Sequence, residues 1–84
     1  MLYYTCILYS QSGDHYYIGS TTNPEQRLIR HNAGATPSTK AGRPWVIVYT
    51  EVFDSKTEAL KRENYLKRMK SRLFIENLVE KSTK

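Results

Sequence analysis

The stretch Tyr16-Tyr17-Ile18-Gly19, followed by Arg27 and His31, organises this chain of 84 residues. Aromatic and β-branched residues before a glycine predict a strand that ends in a tight turn. Asn23 and Pro24 suit the N-cap and the first position of a helix. Arg27 and His31, four residues apart, would share one face of that helix. A phenol, a guanidinium and an imidazole are groups that bind phosphate and move protons.

The residues around this stretch predict a hairpin followed by a helix. Leu2–Tyr9 is rich in aromatic and β-branched residues and predicts a first strand. The turn residues Gln11–Asp14 separate it from a second strand, His15–Ser20, so the two strands should pair antiparallel. The first helix should cover residues 24–33, because Gly34 is a natural stop.

A loop at 34–44 leads into a second half made of one strand and two helices. Trp45–Tyr49 is nearly all apolar, which predicts the central strand of the sheet, covered on both faces. A capping box at Ser55–Glu58 predicts a helix to about Lys70, and Ser71 begins another. We expect their apolar faces to comprise Ala59, Leu60, Leu66 and Met69 in the first and Leu73, Phe74, Leu78 and Val79 in the second. The order β-β-α-β-α-α predicts an α+β fold, a three-stranded antiparallel sheet packed with helices.

Composition and charge narrow the class of protein. We expect one domain over residues 1–84, with a core at about 3–75 and a short basic tail. The net charge of +5 favours nucleic acid as a partner, although a basic surface that serves solubility alone is about as common. A lone cysteine, Cys6, excludes an intramolecular disulfide. The sequence shows no secretory signal and no run of about 20 apolar residues, so we expect a cytoplasmic protein without a membrane partner.

Three candidate site residues each have an ordinary interpretation. Tyr17 could be a packing residue of the strand, or a phenol that takes a proton from water. Arg27 could be a solvated helix residue, or a ligand for phosphate. Glu63 falls within the apolar stripe of the second helix, where a carboxylate is costly. It could lie at the edge of the stripe with its carboxylate in water, paired with Lys67 or Lys70, or it could bind Mg²⁺ through its oxygens.

Taken together, the motifs resemble the GIY-YIG nuclease domain in its small form, the UPF0213-like proteins. Tyr17-Ile18-Gly19 matches the second signature tripeptide as it stands, and Arg27 matches the family's helix arginine. His31 corresponds to the histidine of the same helix, and Glu63 to the metal-binding glutamate. The resemblance covers roughly residues 3–75.

The resemblance implies a metal-dependent endonuclease that hydrolyses DNA phosphodiester bonds, with a place in repair or recombination. Glu63 would hold one Mg²⁺ or Mn²⁺ ion at the scissile phosphate. Arg27 would stabilise charge on that phosphate, and Tyr17, helped by His31, would orient or deprotonate the attacking water. Contacts to DNA are expected from three cations, namely Lys40, Arg43 and Lys67. Sequence specificity would have to come from a protein partner or an oligomer.

The sequence departs from the family pattern in the first strand. The tyrosine of the first signature is replaced by Cys6, and Tyr4 is the nearest tyrosine on the same predicted face. If that first tyrosine is the base, activity would be impaired. The alternative function is therefore a nucleic-acid-binding module on the same fold that no longer cuts DNA, and a further alternative is a protein-interaction domain with an incidentally basic surface.

Overall fold

The computed structural model describes residues 1–34, 41–69 and 71–82. These residues confirm the α+β class and the predicted order β-β-α-β-α-α. The elements are β1 (Tyr3–Ser10), β2 (His15–Thr21), α1 (Pro24–Asn32), β3 (Trp45–Phe53), α2 (Lys56–Met69) and α3 (Arg72–Ser82). Lys40 and Lys70, both named in the sequence predictions, lie outside the described residues.

Short polar residues begin each helix, as the sequence predicted. The Asn23 side chain accepts a hydrogen bond from the Gln26 backbone N–H, with Pro24 at the first helical position. Ser55 and Ser71 accept equivalent bonds from backbone N–H groups three residues later, at the starts of α2 and α3. Gly34, just beyond α1, has a φ of 81°, a conformation that favours glycine. Local chemistry therefore sets these helix boundaries.

The central strand of the sheet is β1, which corrects the prediction for the third strand. The order is β2-β1-β3, and both neighbours run antiparallel to β1. Four consecutive residues of β1, Thr5 to Leu8, are buried, because helices cover both faces of the central strand. β3 is an edge strand whose apolar residues are half-buried, apart from the buried Trp45 and the exposed Val52. A strand is apolar when other elements cover its two faces, and an edge strand can be covered in this way as well as a central strand.

The two faces of the sheet have different helices. α1 packs on the face that carries Cys6, Leu8 and their β2 partners Gly19 and Tyr17. The opposite face carries Ile7, which packs with Leu66 and Ile75 of the other two helices. Half-buried residues surround that core, namely Tyr16, Ile18, Val48, Tyr49, Phe74, Leu78 and Val79. The site residues on α1 and those on α2 therefore start from opposite faces of the sheet.

The predicted apolar faces of the last two helices need correction. On α2, Ala59 and Leu66 are buried, but Leu60 and Met69 are exposed at the margins of the contact with the sheet. On α3, Ile75 is buried, whereas the predicted Leu73 is 67% exposed. The helix is rotated so that its contact line runs between Phe74 and Ile75 rather than through Leu73, because both of those residues reach the core.

Leu66 is the best single test of this core. Leu66→Ala should lower the free energy of unfolding by about 2–5 kcal/mol, since it opens a cavity between α2 and Ile7. The matched control Leu73→Ala should change it by no more than about 0.5 kcal/mol, because that side chain is exposed. Urea denaturation followed by circular dichroism measures both. Equal effects of the two substitutions would contradict this packing.

Candidate active site

A cleft of about 360 Å³ lies between the end of β2 and the exposed side of α1. Three of the residues predicted from the sequence line it: Tyr17, Arg27 and His31. The remaining lining residues are polar or basic, namely Thr21, Thr22, Asn23, Gln26 and Arg30. The cleft therefore presents cations and hydrogen-bonding groups, which suit an anionic ligand.

Arg27 lies at the centre of this arrangement. One terminal nitrogen donates to the Tyr17 hydroxyl oxygen at 3.0 Å, and the other donates to the Ser20 backbone carbonyl at 3.1 Å. Its Nε is buried and has no hydrogen-bond partner. A side chain at Gly19 would place its Cβ 2.8 Å from the guanidinium. The glycine of the signature is therefore the residue that lets Arg27 lie against β2.

His31 is only 2% exposed, and its ring lies 4.8 Å from the Tyr17 ring, centre to centre. Burial, and to a lesser extent the charge of Arg27, lower the pKa of His31, so the imidazole is neutral at neutral pH. Asn32, the next residue, exchanges two hydrogen bonds with the backbone of Trp45, at 2.6 and 3.0 Å. This clamp ties the end of α1 to the start of β3 and positions the imidazole.

Glu63 reaches the same site from the other face of the sheet. The Ser20 hydroxyl donates to one Glu63 carboxylate oxygen at 2.6 Å, while the Ser20 carbonyl accepts from Arg27. Burial opposes ionisation of Glu63, but hydrogen bonds from Lys67 and Ser20 outweigh it and lower the pKa of the carboxyl. The positive charge of Arg27 adds to this effect. Contacts thus run unbroken from Glu63 through Ser20 and Arg27 to Tyr17 and His31.

Ser20 is the residue that the sequence analysis missed. Alternation along β2 places its side chain on the face opposite Gly19, towards α2, where Glu63 projects. The available signal was a polar residue at a strand position that faces α2, where a carboxylate lies in an otherwise apolar stripe. Asn32 was also missed, because its side chain forms hydrogen bonds with the backbone of Trp45, which lies 13 residues later in the sequence.

Comparison with known proteins agrees with this geometry. The family model of the GIY-YIG catalytic domain matches residues 2–77. The chain belongs to the GIY-YIG family. The matching model is that of a catalytic domain.

Several UPF0213 proteins are similar to this GIY-YIG chain. One from Staphylococcus haemolyticus is 52% identical over 52 residues, which are 61% of this chain and 63% of the relative. One from Natronomonas pharaonis is 44% identical over 68 residues, 80% of this chain and 79% of the relative. The solution NMR structure of a UPF0213 protein from Bacillus halodurans superposes with a TM-score of 0.58 at 36% identity, over 95% of this chain and 84% of that one. The match thus spans less than two thirds of the Staphylococcus haemolyticus relative.

The departure from the GIY-YIG pattern lies beneath Arg27. Cys6 pairs with Gly19 across the hairpin and is 1% exposed. Burial raises the pKa of its thiol to about 11, against the opposing charge of Arg27. Tyr4 lines a neighbouring groove with Pro24 and Glu25, not the cleft that holds Tyr17. Neither side chain takes the place of a second tyrosine in the cleft.

The remaining predicted cations differ in their surroundings. Lys67 donates to Glu63 at 2.6 Å, so the pairing of the ordinary interpretation is observed, but the Glu63 side chain is only 14% exposed. Arg43 is exposed, and its guanidinium donates to the carbonyl of Asn32 at the end of α1, at 3.4 Å. Their contacts with DNA stay a prediction.

The donor set around Glu63 fits a weakly held divalent ion. Within residues 1–34, 41–69 and 71–82, no three His, Cys, Asp or Glu side chains come together as a metal-binding group. Glu63 alone offers an ionised carboxylate, so most ligands of such an ion would be water and substrate oxygens, as is usual for Mg²⁺.

Among the helices described, none is long and apolar enough to cross a membrane.

The lowered pKa of His31 predicts a dependence of stability on pH. In the unfolded chain the imidazole titrates near pH 6.5, roughly the value of a free histidine. Below that pH the unfolded chain binds the proton first, so the free energy of unfolding falls until the folded His31 is also protonated. His31→Gln should flatten this slope between about pH 7 and pH 5, where few carboxyls titrate. Urea denaturation across that range measures it, and equal slopes in both proteins would contradict the assignment.

The buried thiol predicts that Cys6 is chemically inert in the folded protein. With a pKa of about 11 and 1% exposure, Cys6 should not react with Ellman's reagent at pH 8. It should react fully in 6 M guanidinium chloride, about the concentration that unfolds most domains. Fast reaction of the native protein would show that the thiol reaches the cleft.

Proposed function

We propose that this chain is a metal-dependent endonuclease that hydrolyses phosphodiester bonds of DNA, with a role in repair or recombination. The observation that carries the proposal is the unbroken set of contacts from Glu63 to His31 through Ser20, Arg27 and Tyr17. Packing alone does not require a guanidinium, a phenol and a buried imidazole at one cleft, with a carboxylate linked to them through Ser20.

Each group in the cleft has a chemical role in this reaction. The Tyr17 hydroxyl holds the attacking water. Arg27 donates a hydrogen bond to the Tyr17 hydroxyl oxygen and stabilises negative charge on that oxygen. His31 is neutral, so its imidazole can accept the proton that leaves the water. The hydroxide equivalent attacks phosphorus, and the bond to the sugar oxygen breaks. That oxygen leaves with the bonding electron pair and takes a proton from solvent water.

Arg27 has two functions in this scheme. It holds Tyr17 and the end of β2 with two of its N–H groups, and guanidinium has five in all. The remaining terminal N–H groups can donate to the non-bridging oxygens of the phosphate, where charge accumulates in the transition state.

Glu63 is the residue that would hold the divalent ion, Mg²⁺ or Mn²⁺. When bound, such an ion polarises the phosphate and stabilises the leaving oxygen. Ser20 fixes the carboxylate towards β2, next to the guanidinium. The family implies metal dependence, and an ionised carboxylate, held by hydrogen bonds that lower its pKa, is a suitable oxygen ligand for a divalent ion.

DNA is the favoured substrate because the cleft is rich in cations and the chain carries a charge of +5. Arg30 lines the cleft beside Arg27, and Arg43 lies at the end of the same helix. Contacts of these arginines with DNA would be made to phosphates, and phosphate contacts carry little sequence information. We therefore propose that a protein partner or a second copy provides specificity.

A second candidate function is a DNA-binding module on the same fold that does not cut. The observation that favours it is Cys6, which stands in place of the first signature tyrosine and leaves Tyr17 as the one signature tyrosine in the described part of the cleft. A site with a single phenol keeps its phosphate ligands but has fewer groups to orient water.

Cleavage assays on supercoiled plasmid and on branched DNA, with Mg²⁺ or Mn²⁺ at low salt, distinguish the two functions. We expect nicking that Glu63→Gln, Arg27→Ala and Tyr17→Phe each reduce by about 10²-fold or more, since each removes a group that acts in the transition state. The matched control is Glu58→Gln, which makes the same change on an exposed residue of α2. It should cut like the parent.

Binding measurements complete this test. Salt-dependent binding of DNA without any cutting would favour the binding module, and absence of binding at low salt would contradict both functions. Cutting that survives Glu63→Gln would contradict the metal role of this carboxylate. Circular dichroism of each variant verifies that it is folded.

A further inference from the structure

Both oxygens of the Glu63 carboxylate are occupied. Oε1 accepts from the Ser20 hydroxyl at 2.6 Å, and Oε2 accepts from the Lys67 ammonium at 2.6 Å. The two donors differ in mobility. Ser20 belongs to strand β2 and is held by its pairing with Thr5, whereas Lys67 is a long side chain that is 49% exposed. Glu63 itself is 14% exposed.

The Lys67 ammonium stands where a divalent cation would bind this carboxylate. Mg²⁺ binds oxygen at about 2.0–2.1 Å, so an ion on Oε2 would lie within a few ångströms of the ammonium. Like charges at that distance repel each other. The Ser20 bond occupies the other oxygen and points back into the sheet. Lys67 and a divalent ion therefore compete for the same outward-facing oxygen.

Release of Lys67 costs little at the lysine end of the pair, because that side chain is 49% exposed and water solvates the freed ammonium. The Glu63 side chain is only 14% exposed, so its carboxylate needs a positive charge nearby, and the divalent ion would supply that charge when the ammonium leaves. Ser20 keeps the carboxylate in place when the lysine leaves. The released ammonium stays one helical turn away, within reach of a phosphate that the ion would bring to the site.

We propose that Lys67 is a displaceable counter-ion of Glu63, which occupies the metal position in the free protein and yields it to the divalent ion. The proposal rests on the metal role given to Glu63 under the proposed function. Lys67 lowers the affinity of the free protein for metal, and thereby favours loading of the site when DNA phosphate is present to receive the ammonium. Lys67 is thus a positioning residue, since it acts through Glu63.

Mn²⁺ titrations without DNA test this directly. Paramagnetic line broadening in ¹H–¹⁵N spectra reports binding at the backbone amides of Glu63 and Ser20, with no need for catalysis. Lys67→Met should bind Mn²⁺ about two- to fivefold more tightly than the parent, the range expected for loss of such a pair. Glu63→Gln should abolish the local broadening.

Two control variants separate this role from general charge effects. Lys61→Met removes the same charge from the opposite side of α2, and should leave Mn²⁺ affinity within experimental error of the parent. Lys67→Arg keeps a cation in contact with Glu63 and should bind Mn²⁺ no more tightly than the parent. Thermal unfolding confirms that each variant is folded.

The outcomes distinguish this proposal from the nuclease function. Unchanged or weaker Mn²⁺ binding in Lys67→Met, or an equal gain in Lys61→Met, would overturn the counter-ion role even if the protein cuts DNA. Tighter binding in Lys67→Met alone would support that role. Tighter binding together with an absence of cleavage in the parent would support the counter-ion role and contradict the nuclease function.

Discussion

The close approach of the Arg27 guanidinium to Gly19 is the constraint on which the site depends. A half-buried guanidinium needs acceptors, and it finds them in the Tyr17 hydroxyl and the Ser20 carbonyl. Any side chain at position 19 would push it away from both. The signature tripeptide therefore combines a phenol with the one residue that lets a cation from another element contact it.

Strand β2 joins two halves of a site that lie on opposite faces of the sheet. Its alternation sends Tyr17 towards α1 and Ser20 towards α2, while the backbone of Ser20 still accepts from Arg27. An edge strand permits this arrangement, because groups on either face can meet around its open side. The electrostatic coupling of Glu63 to Arg27 is a consequence, and it adds a small part to the lowering of the Glu63 pKa that hydrogen bonds from Lys67 and Ser20 produce.

Particular residues show how far sequence reasoning reached. Asn23, Ser55 and Ser71 predicted helix starts correctly because capping is a local interaction. Glu63 was recognised as anomalous because a carboxylate rarely lies in an apolar stripe, and it proved to be held by two donors. The central strand was wrongly assigned, since the apolarity of β3 reflects partial coverage by helices on both faces rather than a central position. Ser20 and Asn32 were missed because their partners are distant in sequence.

The sequence alone determined the order of elements, the helix boundaries and the identity of the candidate residues Tyr17, Arg27, His31 and Glu63, because these follow from local propensity and from a family motif. Only the tertiary structure decided that β1 is central, that Cys6 is buried beneath Arg27, and that Lys67 occupies the outer oxygen of Glu63. These facts depend on which strands pair and on how each helix is rotated against the sheet. Burial and charge in parts of the chain that are distant in sequence determine the strand pairing and the helix rotation, so no local sequence pattern predicts them.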